Sequence, residues 1–283
     1  MSIKLEHVNY IYMRGTPYEK QALKDVSLTI NKGEFVALIG HTGSGKSTLV
    51  QHLNGLLNPT QGKVFIDDVD LAGKGPEVKA KKQSVGMVFQ YPEHQIFAET
   101  VFEDIAFGPR NKGMDEAEVE KQVRDAMQFV GLDYDEYAKR SPFQLSGGQM
   151  RKVAIAGVVA MDPDYLVLDE PSAGLDPEAK SSIFAKIMNL YRSRKIAIIL
   201  VTHSMEEAAA YAGRILVMSK GEVLLDGKPL DIFLQHQEIL HKASLEVPQT
   251  IKLAGLLRAK GMKIPAGMLT EKALLAAITK AAH

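Results

Sequence analysis

The chain has 283 residues, 46% of them hydrophobic and 24% charged, with 34 basic side chains set against 34 acidic ones. That balance describes one large globular domain, or one domain with a small appendage, and not a disordered chain. A formal net charge of zero supplies no global field toward nucleic acid or an anionic bilayer, and the lack of cysteine excludes disulfides, a thiolate nucleophile and a cysteine metal site.

The first residues, Met1-Ser2-Ile3-Lys4-Leu5-Glu6-His7, lack the apolar core of a signal peptide, and no apolar run reaches the roughly 18 residues that span a bilayer. Any membrane role is expected to pass through a partner. Short β-branched or apolar segments at Ile3 to Tyr10, Val26 to Ile30, Phe35 to Ile39 and Val64 to Ile66, punctuated by Gly, Asn and Asp, predict strands. Directly after the third of these, Gly40-His41-Thr42-Gly43-Ser44-Gly45-Lys46-Ser47 fits G-x-x-x-x-G-K-[ST] in full, with a helix expected from near Thr48. Gly40, Gly43 and Gly45 free the backbone to turn successive N–H groups inward on phosphate oxygens, and the helix points its positive end at the same place. Lys46 is placed to neutralise the terminal phosphates, and the Ser47 hydroxyl to reach Mg²⁺.

Val119, Val123, Ala126, Met127 and Val130 recur at helical spacing among charges, which predicts an amphipathic helix over 116–130. After Ser141-Pro142 a glycine pair opens a second helix through Val153, Ile155 and Ala156. Two continuous apolar runs follow, Tyr165 to Leu168 and Ile196 to Val201, and read as buried parallel strands. The first runs into Asp169-Glu170 where it should meet the phosphate loop, with Asp169 as the Mg²⁺ partner through water and Glu170 as the base that polarises the attacking water. Ile215 to Leu225 predicts a hairpin turning near Lys220-Gly221. Past Leu230 the chain becomes helical and amphipathic, with a breaker at Pro248, and is expected to form a small appendage. Strands that alternate with helices and end in glycine-rich loops imply an α/β domain with a largely parallel sheet. His52, His236 and His241 show no metal-ligand spacing and read as packing or surface residues.

Leu145-Ser146-Gly147-Gly148-Gln149 reproduces the signature pentapeptide of the ATP-binding-cassette (ABC) family, and on it the chain resembles that family's ATPases. The resemblance implies an ABC ATPase nucleotide-binding domain over residues 1–230, with a P-loop NTPase parallel sheet core, an N-terminal antiparallel β-subdomain and a helical subdomain at about 91–160. It implies a small C-terminal helical domain at 231–283 that helps two ATPases dimerise. ATP and Mg²⁺ follow from the same resemblance, with His41, Thr42, Ser44 and Thr48 completing the phosphate-binding set. In the family two such domains meet head to tail, and the resemblance implies that Ser146, Gly147, Gly148 and Gln149 close in trans over the partner's ATP. Gln90, after a strand expected over Val85 to Phe89, is similar to the Q-loop glutamine that senses Mg²⁺ and the attacking water. Ser172-Ala173-Gly174-Leu175-Asp176 resembles the D-loop between the two sites, and His203 the switch histidine that holds the γ-phosphate. Tyr12, with Tyr10 close by, resembles the aromatic that stacks on adenine.

Tyr91-Pro92-Glu93-His94-Gln95-Ile96-Phe97, Phe107-Gly108-Pro109-Arg110-Asn111 and the variant Gly40-His41-Thr42-Gly43 resemble the ATPases of energy-coupling factor transporters, in particular their second A-type subunit. That implies uptake of a vitamin or transition metal ion by a complex with a second ABC ATPase subunit (a paralogue or a second copy), a transmembrane coupling protein and a substrate-binding membrane protein. It also implies a peripheral position on the cytoplasmic face of the cell membrane, with the surface after Gln90 receiving a coupling helix, and no nucleic-acid partner. Three alternatives stay open at this point: the ATPase of another ABC importer or exporter, a non-transport cassette ATPase, and a nucleotide-binding scaffold. Against the second stands the absence of sustained heptads between Ser47 and Tyr165 and of a second cassette; against the third stand Glu170 and His203.

Overall fold

The computed structural model describes residues 1–281. From the N-terminus, β1 (Ser2–Tyr12), β2 (Lys20–Asn31) and β3 (Phe35–Ile39) lead into α1 (Lys46–Leu53), followed by β4 (Gln61–Ile66), β5 (Val69–Asp70), α2 (Pro76–Gln83) and β6 (Val85–Val88). A helical stretch comes next: α3 (Val101–Asn111), α4 (Glu116–Val130), α5 (Tyr134–Tyr137) and α6 (Gly147–Val159). The chain then returns through β7 (Tyr165–Asp169), α7 (Pro177–Arg194), β8 (Ala197–Val201) and α8 (Met205–Tyr211) to the hairpin of β9 (Arg214–Ser219) and β10 (Glu222–Gly227). It finishes in α9 (Pro229–Gln235), α10 (Gln237–Lys242), α11 (Gln249–Ala259) and α12 (Glu271–Ala281).

Two sheets form. One is antiparallel in the order β2-β1-β4-β5, and the other runs β10-β9-β3-β8-β7-β6, in which only the β9–β10 pair is antiparallel. The parallel strands are apolar through their centres because both faces are covered, and their side chains sort with a period of two. Leu166 and Leu168 of β7, with Ile198 and Leu200 of β8, face a core shared with Ile105, Val123, Ala156 and Phe184 of the helices. The alternate residues Tyr165, Val167, Ile199 and Val201 face the antiparallel sheet and meet Leu5, Leu28 and Ile30.

Packing is continuous across residue 230. Ala37 and Ile39 of β3 share a cluster with Phe233, Leu240 and Ile251, whereas Ala254, Ile264 and Leu274 make a separate small core between α11 and α12. For the site, one consequence matters most. Strands β3, β8, β7 and β6 are neighbours and point the same way, so the loops leaving their C-terminal ends line one edge of the sheet.

Candidate nucleotide site

The loop from β3 to α1 wraps the start of α1. Gly45 has φ +107, and a Cβ there would lie 2.7 Å from the Ala22 carbonyl oxygen; at Gly40 it would lie 2.4 Å from that of Met218. Only glycine fits either place, which is why the loop can follow so tight a path. Ser44 N–H donates to the His41 carbonyl at 3.1 Å, and the loop is pinned to the β9–β10 turn by Gly221 N–H donating to Ser44 O at 2.9 Å. The Lys46 ammonium is buried and donates to the carbonyls of Gly40 at 2.7 Å and His41 at 3.1 Å. Burial holds its pKa below the ordinary lysine value, with Glu170 and Asp169 pulling it partly back. Thr48 is buried behind the loop, whereas Thr42 and Ser47 are exposed at the cleft.

Next along the sheet edge, His203 follows β8, Asp169 ends β7 with Glu170 directly after it, and Gln90 follows β6. Burial, and after it the Glu170 charge, push the Asp169 carboxyl up to about 6, while Lys46 pulls it down. Glu170 has φ +49, a left-handed conformation that costs a non-glycine residue about 1 kcal/mol or more. Its N–H donates to the Val201 carbonyl at 2.9 Å, which holds that bend against β8. His203 Nε2 lies 2.7 Å from one Glu170 carboxylate oxygen, and Gln90 Nε2 donates to the other at 3.3 Å.

These groups share one cleft of about 730 Å³, within the size range of small-molecule sites. Gly43, Gly45, Lys46, Ser47, Thr48, Gln90, Asp169, Glu170 and His203 line it, and Tyr12 stands at its rim. The Tyr12 ring meets Tyr10 edge-on at 4.8 Å between centroids, and its hydroxyl lies 3.2 Å from Thr48 Oγ1. Lys20, Gln21, Ala22, Lys24 and Lys220 line the cleft too, although no motif marks them. They arrive by strand pairing, and the only sequence signal is the Lys220-Gly221 hairpin turn.

The signature segment lies elsewhere. Ser146 caps α6 in a reciprocal box with Gln149, and Ser146, Gly148 and Gln149 line a second cleft together with Leu175 and Asp176. Arg151, two residues further along α6, is buried and donates to the carbonyls of Ala173 at 2.8 Å and Pro171 at 2.7 Å. It ties the signature helix to the loop after Glu170.

A family model described as "ABC transporter" matches residues 23–173. The energy-coupling factor transporter ATP-binding protein EcfA2 of Clostridium tetani is 51% identical over 95% of this chain and 93% of its own length. Its counterpart of Symbiobacterium thermophilum is 50% identical over 98% of this chain and 96% of its own. Among solved structures, cbiO1 of Clostridium perfringens, part of the ABC transporter complex cbiONQ, superposes with a TM-score of 0.72 at 36% identity over 85% of this chain and 93% of that one. The cassette MJ0796, dimeric in a post-hydrolysis state with ADP and Pi, gives a TM-score of 0.71 at 30% identity over 80% of this chain and 98% of that one. The fold, the matched family and relatives that span nearly the whole length agree: the chain belongs to the ABC transporter family, among the transport-coupled ATPases of energy-coupling factor systems.

Proposed function

We propose that this chain hydrolyses ATP on the cytoplasmic face of the cell membrane, as a peripheral subunit that drives a vitamin or transition-metal importer. The observation that carries the site assignment is the convergence of Lys46, Asp169, Glu170, Gln90 and His203 on one cleft at the ends of four adjacent parallel strands. In this reading the 40–48 loop and Lys46 hold the phosphates, and Tyr12 stacks on adenine. His203 holds the γ-phosphate, and Glu170 takes the proton of the water that attacks phosphorus as the bond to ADP breaks.

The residues fit Mg²⁺. Ser47, Gln90 and Asp169 offer hard oxygen donors, and Asp169 sits where burial and Glu170 both disfavour its charge, a setting that a cation relieves. Asp169 would act through water. The ion, when bound, neutralises charge on the terminal phosphates.

Ser146, Gly147, Gly148 and Gln149 act in trans, on ATP held by a second ABC ATPase subunit; their position outside the phosphate cleft supports this. A transmembrane coupling protein and a substrate-binding membrane protein complete the assembly, and the segment over 231–283 adds a contact between the ATPases. Among the described residues no helix is long and apolar enough to cross a membrane. The test is magnesium-dependent phosphate release by the assembled complex. Glu170→Gln lowers the share of turnover from this site by about a hundredfold or more while ATP still binds, and Lys46→Ala weakens ATP binding itself. With the partner subunit's site also disabled, wild-type turnover by Glu170→Gln would overturn the assignment of the base.

A further inference from the structure

Glu207, in the first turn of α8, is only 2% exposed, yet it does not line the phosphate cleft. Its carboxylate is held by three groups from separate parts of the chain. Ser172 Oγ donates to Oε1 at 2.5 Å, Thr202 Oγ1 donates to Oε2 at 2.5 Å, and Lys180 Nζ of α7 lies 2.7 Å from Oε1. Ser172 stands two residues after Glu170, and Thr202 immediately before His203. Thr202 Oγ1 also accepts from Ser204 N–H at 3.0 Å, closing a ring around His203, and Ser204 Oγ accepts from Glu207 N–H at 3.2 Å. One buried carboxylate thereby joins the turn that carries His203 to the loop that carries Glu170.

We propose that Glu207 is a positioning residue for hydrolysis: through Thr202 and Ser172 it sets His203 and Glu170 against one another, at the 2.7 Å separation seen between them. Each oxygen of Glu207 addresses one side of that pair. The loop is also fixed from the opposite direction, because Arg151 holds the carbonyls of Pro171 and Ala173. Loss of the Glu207 bonds frees the side of the loop that faces His203 while Arg151 keeps the rest of its path. Hydrolysis needs the base and the γ-phosphate sensor aligned within a few tenths of an ångström, whereas binding of the nucleotide rests mainly on the 40–48 loop and Tyr12, neither of which Glu207 touches.

The proposal rests on the roles given above to Glu170 and His203, so Glu170→Gln is measured beside it in the same assembled complex. Glu207→Gln keeps the side chain's size and one accepting oxygen but loses the charge and one acceptor. It is expected to lower kcat about tenfold with KM for ATP changed by less than about twofold. Thr202→Val and Ser172→Ala, which each delete one hydroxyl, lower kcat in the same sense, and Thr202→Ser restores it. The glutamine keeps its oxygen toward Lys180 and Ser172 and turns its NH2 toward Thr202, so the double variant Glu207→Gln with Thr202→Val is no slower than Glu207→Gln alone, because both changes break one link. A role in stability alone would lower Tm and leave kcat intact. Wild-type kcat in Thr202→Val and Ser172→Ala overturns the proposal even if Glu207→Gln fails to fold. Wild-type kcat in Glu170→Gln instead overturns the reading of the catalytic base.

Discussion

His52 shows how a residue without chemistry can still set the pH range over which the fold is stable. It lies fully buried in α1, directly below the phosphate loop, with its ring edge-on to Tyr10 at 4.9 Å between centroids. Nδ1 donates to the Thr48 carbonyl at 2.7 Å, and burial holds its pKa below the ordinary 6.5. A histidine with a lowered folded-state pKa takes up its proton more readily in the unfolded chain. Its contribution to stability is therefore complete above pH 6.5 and is lost as the pH falls below it. His52→Gln removes the titration and keeps a donor for Thr48. Urea unfolding at about pH 7 and about pH 5 should show a smaller loss of stability in the variant than in the wild type. An equal loss in both would remove His52 from the account. The residues proposed to hold phosphate were legible in the sequence because glycine, lysine and hydroxyl must stand at fixed spacing around a phosphate. Glu207, Arg151 and Lys20 were not, because each is brought to its place by tertiary packing that leaves no local pattern.

At the scale of elements, α4 is the case where pattern and structure coincide. Its bounds match the amphipathic stretch 116–130, and its start is fixed by a capping box in which Asp115 accepts from Glu118 N–H at 2.8 Å. Asp115→Ala should cost about 1 kcal/mol of unfolding free energy and leave ATPase activity unchanged. Chemical denaturation paired with phosphate release checks both halves, and a change in turnover would place the cap nearer the chemistry than the structure does. Strand β2 is the contrary case. The apolar pattern begins only at Val26, but the strand begins at Lys20, because Tyr12 pairs with Lys20 and Ile11 with Gln21 across the sheet. Backbone pairing carries those polar residues into the strand and so to the rim of the cleft. Helix α3, over 101–111, was likewise veiled, with Gly108 and Pro109 near its end masking a helix capped by Thr100.

At the scale of the whole molecule, the tail exposes Leu253 and Leu256 of α11 and Leu275 of α12, while Ala254, Ile264 and Leu274 form the small core beneath. If this face joins two ATPases, Leu256→Glu with Leu275→Glu should weaken their association by about tenfold or more without unfolding either chain. Sedimentation velocity across a concentration series reads this directly, and unchanged association would assign the contact to another surface. Helix α11 also carries a constraint on how this protein can be recombined with its relatives. Ile251 belongs to the cluster that backs the strand under the phosphate loop, and Ala254, one turn later, belongs to the terminal core. The tail is thus spliced to the catalytic body through a continuous helix and not hung from a tether. A chimaera cut at residue 230 would strip Phe233, Leu240 and Ile251 from beneath Ala37 and Ile39, so a tail borrowed from another cassette must bring that buried face with it or leave the nucleotide loop on an unsupported strand.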